Sequence, residues 1–117
     1  MPVLGVGGVF FRSSNPKLLA DWYREHLGIG ADGPVWEQAA GPAVFAPFDA
    51  DTDYFPAGRQ FMLNLRVSDL DGLIEALRAA GIEVTTKPEW DTPETGRFAR
   101  IHDPEGAPIE LWEPPES

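Results

Sequence analysis

The chain has no cysteine. That excludes disulfides, thiolate metal sites and cysteine nucleophiles, and it fits a cytoplasmic protein. Positive charge is scarce: 9 Lys and Arg face 19 Asp and Glu, a formal net charge of −10. A surface of that sign repels a phosphate backbone, so nucleic acid is not an expected partner. No apolar run approaches the roughly 18 residues a membrane span needs. The opening Met1-Pro2-Val3-Leu4 lacks the basic start of a signal peptide, so a cytoplasmic location without membrane attachment is expected. Nucleotide and hydrolase fingerprints are also missing, namely the P-loop, the Rossmann glycine pattern and G-x-S-x-G. Asp49, Asp51 and Asp53 alternate as in a calcium loop, but the loop glycine and the distal glutamate are absent, so the run reads as solvated.

What is present suits one folded domain, 1–117, with a core that needs no covalent staples. Val3 to Phe11 is apolar and β-rich, and it reads as a strand interrupted by Gly5, Gly7 and Gly8. Asn15-Pro16 offers an N-cap with proline at the first helical position. Leu18, Leu19, Trp22, Tyr23, His26 and Leu27 then recur at helical spacing until Gly28. Val35–Gln38 and Ala43–Phe48 read as strands, and Asp49–Gly58 as a linker or mobile loop.

The pattern then restarts. Gln60–Val67 alternates as a strand, and Ser68-Asp69-Leu70-Asp71 opens a second helix. Leu70, Leu73, Ile74, Leu77 and Ala80 form its apolar stripe, and Gly81 ends it. Ile82–Thr86 reads as a strand and Pro88–Gly96 as a loop. The closing GRFARIHDPEGAPIELWEP is a strand, a turn at Asp103-Pro104-Glu105-Gly106, and a strand. Glu110 lies between Ile109 and Leu111 in that last strand, an unusual place for a carboxylate without a partner. The chain thus contains two similar units, about 3–54 and 60–114, each a strand, a helix and further strands. Two copies are too few for a solenoid, and a pseudo-twofold pair is the better reading.

VFFRSSNPKLLADWYREHLGI, LRVSDLDGLIEALRAAGIEV and IHDPEGAPIELWEP, in this order, resemble the vicinal-oxygen-chelate superfamily of glyoxalases, bleomycin resistance proteins and extradiol dioxygenases. The resemblance implies an α+β fold in which two βαβββ units form a curved mixed sheet around a cleft, and a homodimer. It also implies a divalent metal held by residues of the first and last strands. The last-strand position of the second unit falls on Glu110. The others fall on Met62, Gly8 and Phe45, none of which ligates a hard cation through its side chain.

Strand alternation extends each of these positions along one face. Val6, Phe10 and Arg12 go with position 8, and Asn64 and Arg66 with Met62. Pro108 and Trp112 go with Glu110, and Ala43 and Pro47 with Phe45. Phe61, Leu63, Leu65 and Val67 then face the helix. Trp90, in a loop, is a further candidate for the cleft wall, while His26 reads as structural and His102 as a strand-end residue. The expected cleft is aromatic and apolar, with Glu110 pairing either with Arg66 or Arg12 or with a ligand.

Three functions compete on these residues. The first is a metal-free small-molecule binding protein, similar in kind to the bleomycin resistance proteins, with Phe10, Arg12, Phe45, Met62, Asn64, Arg66, Trp90 and Trp112 around the ligand. The second is a glyoxalase-like lyase, isomerase or dioxygenase using Glu110 as metal ligand or general base. The third is an interaction domain with a vestigial cleft. No cofactor is expected, and a divalent metal on Glu110 is left open.

Overall fold

The structure, a computed structural model, describes residues 2–116. Helix α1 spans Pro16–Leu27. The Asn15 side chain accepts a hydrogen bond from the Leu18 N–H at 3.2 Å, which satisfies one of the free donors of the first turn. The helix stops at Gly28, whose φ of 73° lies in the left-handed region that only glycine enters freely. Helix α2 spans Leu70–Ala79 and is capped by Asp69, which accepts from the Gly72 N–H at 3.1 Å. Both helices begin and end where the sequence places them.

Among the described residues, three strands form one mixed sheet. Strand β1 is Leu63–Arg66, β2 is Arg97–His102 and β3 is Pro108–Glu113, in the order β1-β3-β2. β1 pairs parallel with β3, and β2 antiparallel with it. Leu65, Ala99, Ile101, Ile109 and Leu111 make one face of the sheet and are buried with Leu70, Ile74 and Leu77 of α2. Leu19 and Tyr23 of α1 and Val84 complete the core. Leu70, Leu77, Ile101, Ile109 and Leu111 are fully buried, and each is worth roughly 1.5–3 kcal/mol of hydrophobic transfer.

The β2–β3 turn hangs on one carboxylate. Asp103 is 5% exposed. Its Oδ1 accepts from the Glu105 and Ala107 N–H groups at 2.8 and 3.0 Å, and its Oδ2 from the Tyr23 hydroxyl at 2.8 Å. The turn is therefore fixed to α1 across most of the chain. Glu105 adds a second link, accepting from the Ser13 hydroxyl at 2.6 Å and the Ser14 N–H at 3.0 Å.

The sheet is smaller than the sequence predicts. The expected strands Val3–Phe11, Val35–Gln38 and Ala43–Phe48 carry no strand hydrogen bonds. Gln60–Val67 shortens to Leu63–Arg66, and Ile82–Thr86 contributes a single bridge, Thr85 to Arg100. The apolar residues of 3–11 and 43–48 are largely exposed: Leu4 is 97% exposed, Phe10 99% and Phe45 90%. Alternation and β-propensity specify a strand only if a neighbouring edge is within reach. Among the described residues, no such edge meets 3–11 or 35–48 within the chain.

Candidate functional site

The sheet face opposite the core carries two rows of side chains. β1, β3 and β2 place Asn64, Glu110 and Arg100 side by side, and one step along they place Arg66, Trp112 and Phe98. The first row is polar. The second is aromatic, with Phe98 and Trp112 stacked at 6.4 Å and 9° between their planes. The Trp112 Nε1–H donates to the Thr95 carbonyl at 2.7 Å.

Glu110 is 9% exposed and both its oxygens are engaged. Oε1 accepts from Asn64 Nδ2 at 2.7 Å. Oε2 accepts from the Tyr54 hydroxyl. Tyr54 comes from the 49–58 segment, which folds back over the polar row instead of running free as a linker. Its ring stacks on Phe48 at 5.6 Å, and Phe55 meets Phe48 edge-on at 5.7 Å. Burial first, and then the bond to Glu110, pushes the Tyr54 pKa up to about 12.

Arg100 completes the group. Its Nη2 donates to the Tyr54 carbonyl at 3.0 Å. Its guanidinium lies 5.0 Å from the Tyr54 ring centroid and 5.7 Å from that of Trp90. Such cation–π contacts are worth about 0.5–2 kcal/mol each, more as water is excluded. Arg100 Nε is buried with no hydrogen-bond partner among the described residues.

The expected site residues thus divide. Glu110 and Asn64 are in direct contact, and Trp90 is linked to them through Arg100 and Tyr54. Trp112 is on the same face, one row along. Met62 is half-buried just before β1. Arg66 turns away to the 39–42 turn, donating to the Ala39 and Pro42 carbonyls at 2.6 and 2.7 Å. Phe10, Arg12 and Phe45 are exposed. Neither Arg66 nor Arg12 pairs with Glu110, as the sequence suggested; Tyr54 and Asn64 satisfy it instead.

Tyr54, Arg100 and Phe98 are absent from the sequence-based site. Arg100 and Phe98 were within reach, because the Asp103–Gly106 turn fixes the hairpin register and sets Arg100 opposite Glu110. Tyr54 carries no local signal. The Tyr54 loop lies over Glu110 and Arg100 of the polar row, while Asn64 stays exposed; shallow concavities lie beside Val67 and Glu113 and between α2 and Lys87, the second bordered by Phe98 of the aromatic row.

The residues do not fit a divalent metal. Among the described residues no three His, Cys, Asp or Glu side chains converge. The positions matching the superfamily's other ligands, Met62, Gly8 and Phe45, bring no hard donor atom. The two oxygens of Glu110 already face hydrogen-bond donors.

A family model described as a glyoxalase-like domain matches residues 8–112. Among solved structures, TnmS3, an antibiotic binding protein from Streptomyces sp. CB03234, is 30% identical. The match covers 97% of this chain and 98% of that one, with a TM-score of 0.63. A search of curated proteins finds no match. With nearly the whole length matched, the chain belongs to the glyoxalase-like domain family of the vicinal-oxygen-chelate superfamily.

Proposed function

We propose that this protein binds a small aromatic molecule in the cytoplasm and does not transform it through a metal. The observation that carries this reading is the state of Glu110. The family's metal-ligand position is here a carboxylate bonded to Tyr54 and Asn64 beside an aromatic row. Such a surface offers stacking area and a few oriented polar groups, which is how small-molecule sites gain affinity and direction. TnmS3, an antibiotic-binding relative of the same length, supports binding as the activity.

The reading includes a homodimer in which the first unit completes its own βαβββ form against a second copy. The support is physical. Val3, Leu4, Phe10, Val44 and Phe45 are all at least 71% exposed, more bare apolar side chain than a lone soluble chain usually presents. One side of β1 pairs with β3 and the other is free among the described residues, an edge suited to strand addition. Paired units of this kind would bring Phe10, Arg12 and Phe45 to the wall of a cleft.

The test is titration of tryptophan fluorescence with a panel of planar aromatic molecules, alongside metal analysis of protein purified without chelator. Saturable quenching with no stoichiometric metal supports the reading. One bound divalent ion per chain together with turnover of a panel member overturns it in favour of the lyase, isomerase or dioxygenase alternative.

A further inference from the structure

Tyr54 is held as a ligand would be. Its ring stacks on Phe48 and lies 5.0 Å from the Arg100 guanidinium, its hydroxyl donates to Glu110, and its own carbonyl accepts from Arg100. The segment that carries it is tied at its end, where Arg59 Nη2 donates to the Glu105 carbonyl of the β2–β3 turn at 2.7 Å. Residues 49–58 contain no helix or strand. The backbone bonds they make stay close in sequence, Thr52 to Asp49 and Arg59 to Pro56. Phe48 packs on both Tyr54 and Phe55 and is itself half exposed.

The hold on Arg100 is also incomplete. Nε and Nη2 form one side of the guanidinium fork, which matches the two oxygens of a carboxylate. The Tyr54 carbonyl fills Nη2 alone and leaves Nε buried without a partner. A buried donor without an acceptor is costly, so an occupant bringing two acceptor oxygens would satisfy the fork better than the resident loop does.

We infer that Tyr54 is a displaceable internal occupant of the ligand site, and that the site takes an aromatic molecule carrying a phenolic hydroxyl for Glu110 and a carboxylate for Arg100. This rests on the binding reading and names its ligand class. The loop then acts as a competing lid: the apparent affinity of the wild type is the intrinsic affinity multiplied by the fraction of molecules with Tyr54 displaced.

The probe is para-hydroxyphenylpropionate, which repeats the Tyr54 side chain with a carboxylate at the place of its carbonyl. Its methyl ether lacks the hydroxyl donor, and its amide has one acceptor in place of two. Calorimetric titration compares wild type, Tyr54→Ala and Tyr54→Phe. Tyr54→Ala should bind the probe at least about tenfold more tightly than wild type. Tyr54→Phe, which keeps the ring packing and loses only the hydroxyl, should fall between them and guards against misfolding of the alanine variant. In both variants the ether and the amide should bind more weakly than the probe.

Equal binding of probe, ether and amide overturns the ligand class. Weaker binding by both variants than by wild type overturns the lid, because Tyr54 would then be a wall of the site. If other aromatic molecules bind wild type and both variants alike while the probe does not, the binding function stands and this inference falls. If no molecule binds any of the three proteins, the binding reading falls with it.

Discussion

Arg100 and Glu110 are cross-strand partners in β2 and β3, yet they form no ion pair. The N–H and carbonyl of Arg100 bond to Thr85 on the other side of β2, at 2.8 and 2.9 Å. Arg100 and Glu110 therefore face each other at a site without ladder bonds, where the α-carbons come to about 4.5 Å and side chains are closest. Opposite charges so placed would normally meet. Tyr54 intervenes, bonding Glu110 with its hydroxyl and Arg100 with its carbonyl.

That insertion has a spectroscopic signature. The chain has two tyrosines, Tyr23 and Tyr54. Burial and the bond to Asp103 raise the Tyr23 pKa, and burial and the bond to Glu110 push Tyr54 up to about 12. Absorbance of tyrosinate should show no step near pH 10 in the native protein, whereas both residues titrate at about 10 in urea. Because the Tyr54 value is raised, its stabilising contribution is complete below pH 10 and is lost as pH rises through about 12. A native step at pH 10 would show a free tyrosine.

Asp103 anchors the hairpin to α1. Asp103→Ala removes an acceptor of three hydrogen bonds and orphans buried donors, and should lower stability by about 3 kcal/mol in urea denaturation. Tyr23→Phe should cost about 1–2 kcal/mol. A double-mutant cycle should show coupling between the two, and purely additive losses would refute a direct bond.

Gly96 lies just before β2 with φ 103°. A Cβ there would sit 2.3 Å from the Glu113 carbonyl oxygen, which is backbone and cannot swing aside. Gly96→Ala should therefore destabilise by more than about 1 kcal/mol. Gly7→Ala, where a Cβ meets nothing within 4 Å, serves as the comparison within the chain. Equal urea midpoints for the two variants would contradict the close approach.

The exposed apolar residues of the first unit make a prediction about assembly. Phe10→Ser and Phe45→Ser remove side chains that touch little within the chain, being 99% and 90% exposed. A lone chain should tolerate them within about 0.5 kcal/mol. In a dimer built on these segments, they should shift the sedimentation mass from two chains toward one and lower the midpoint at low protein concentration. Unchanged mass in both variants would count against that interface.

Local chemistry made much of the fold legible. Asn15-Pro16, Gly28, Asp69 and Gly81 bound the helices because caps and breakers act through neighbouring backbone groups. Alternation from Leu63 to Val67 and from Pro108 to Trp112 assigned the buried and open faces of the sheet, since a strand has only two faces to offer. The same alternation put Glu110 and Asn64 on one face; the hairpin register that sets Arg100 opposite Glu110 was not drawn from it.

The first-unit strands were not decided locally. Val3–Phe11 and Ala43–Phe48 have strand-like sequences, but a strand exists only against an edge, and no stretch of sequence says whether that edge is near. Tyr54 was beyond reach for a related reason. Its partners Glu110 and Arg100 are 56 and 46 residues away, and only the path of the folded chain brings a phenol from an acidic loop onto a carboxylate in the core sheet. Local sequence was enough for the helices, the strand faces and the family. The tertiary structure alone decided what Glu110 touches, because contacts between distant segments depend on how the whole backbone closes.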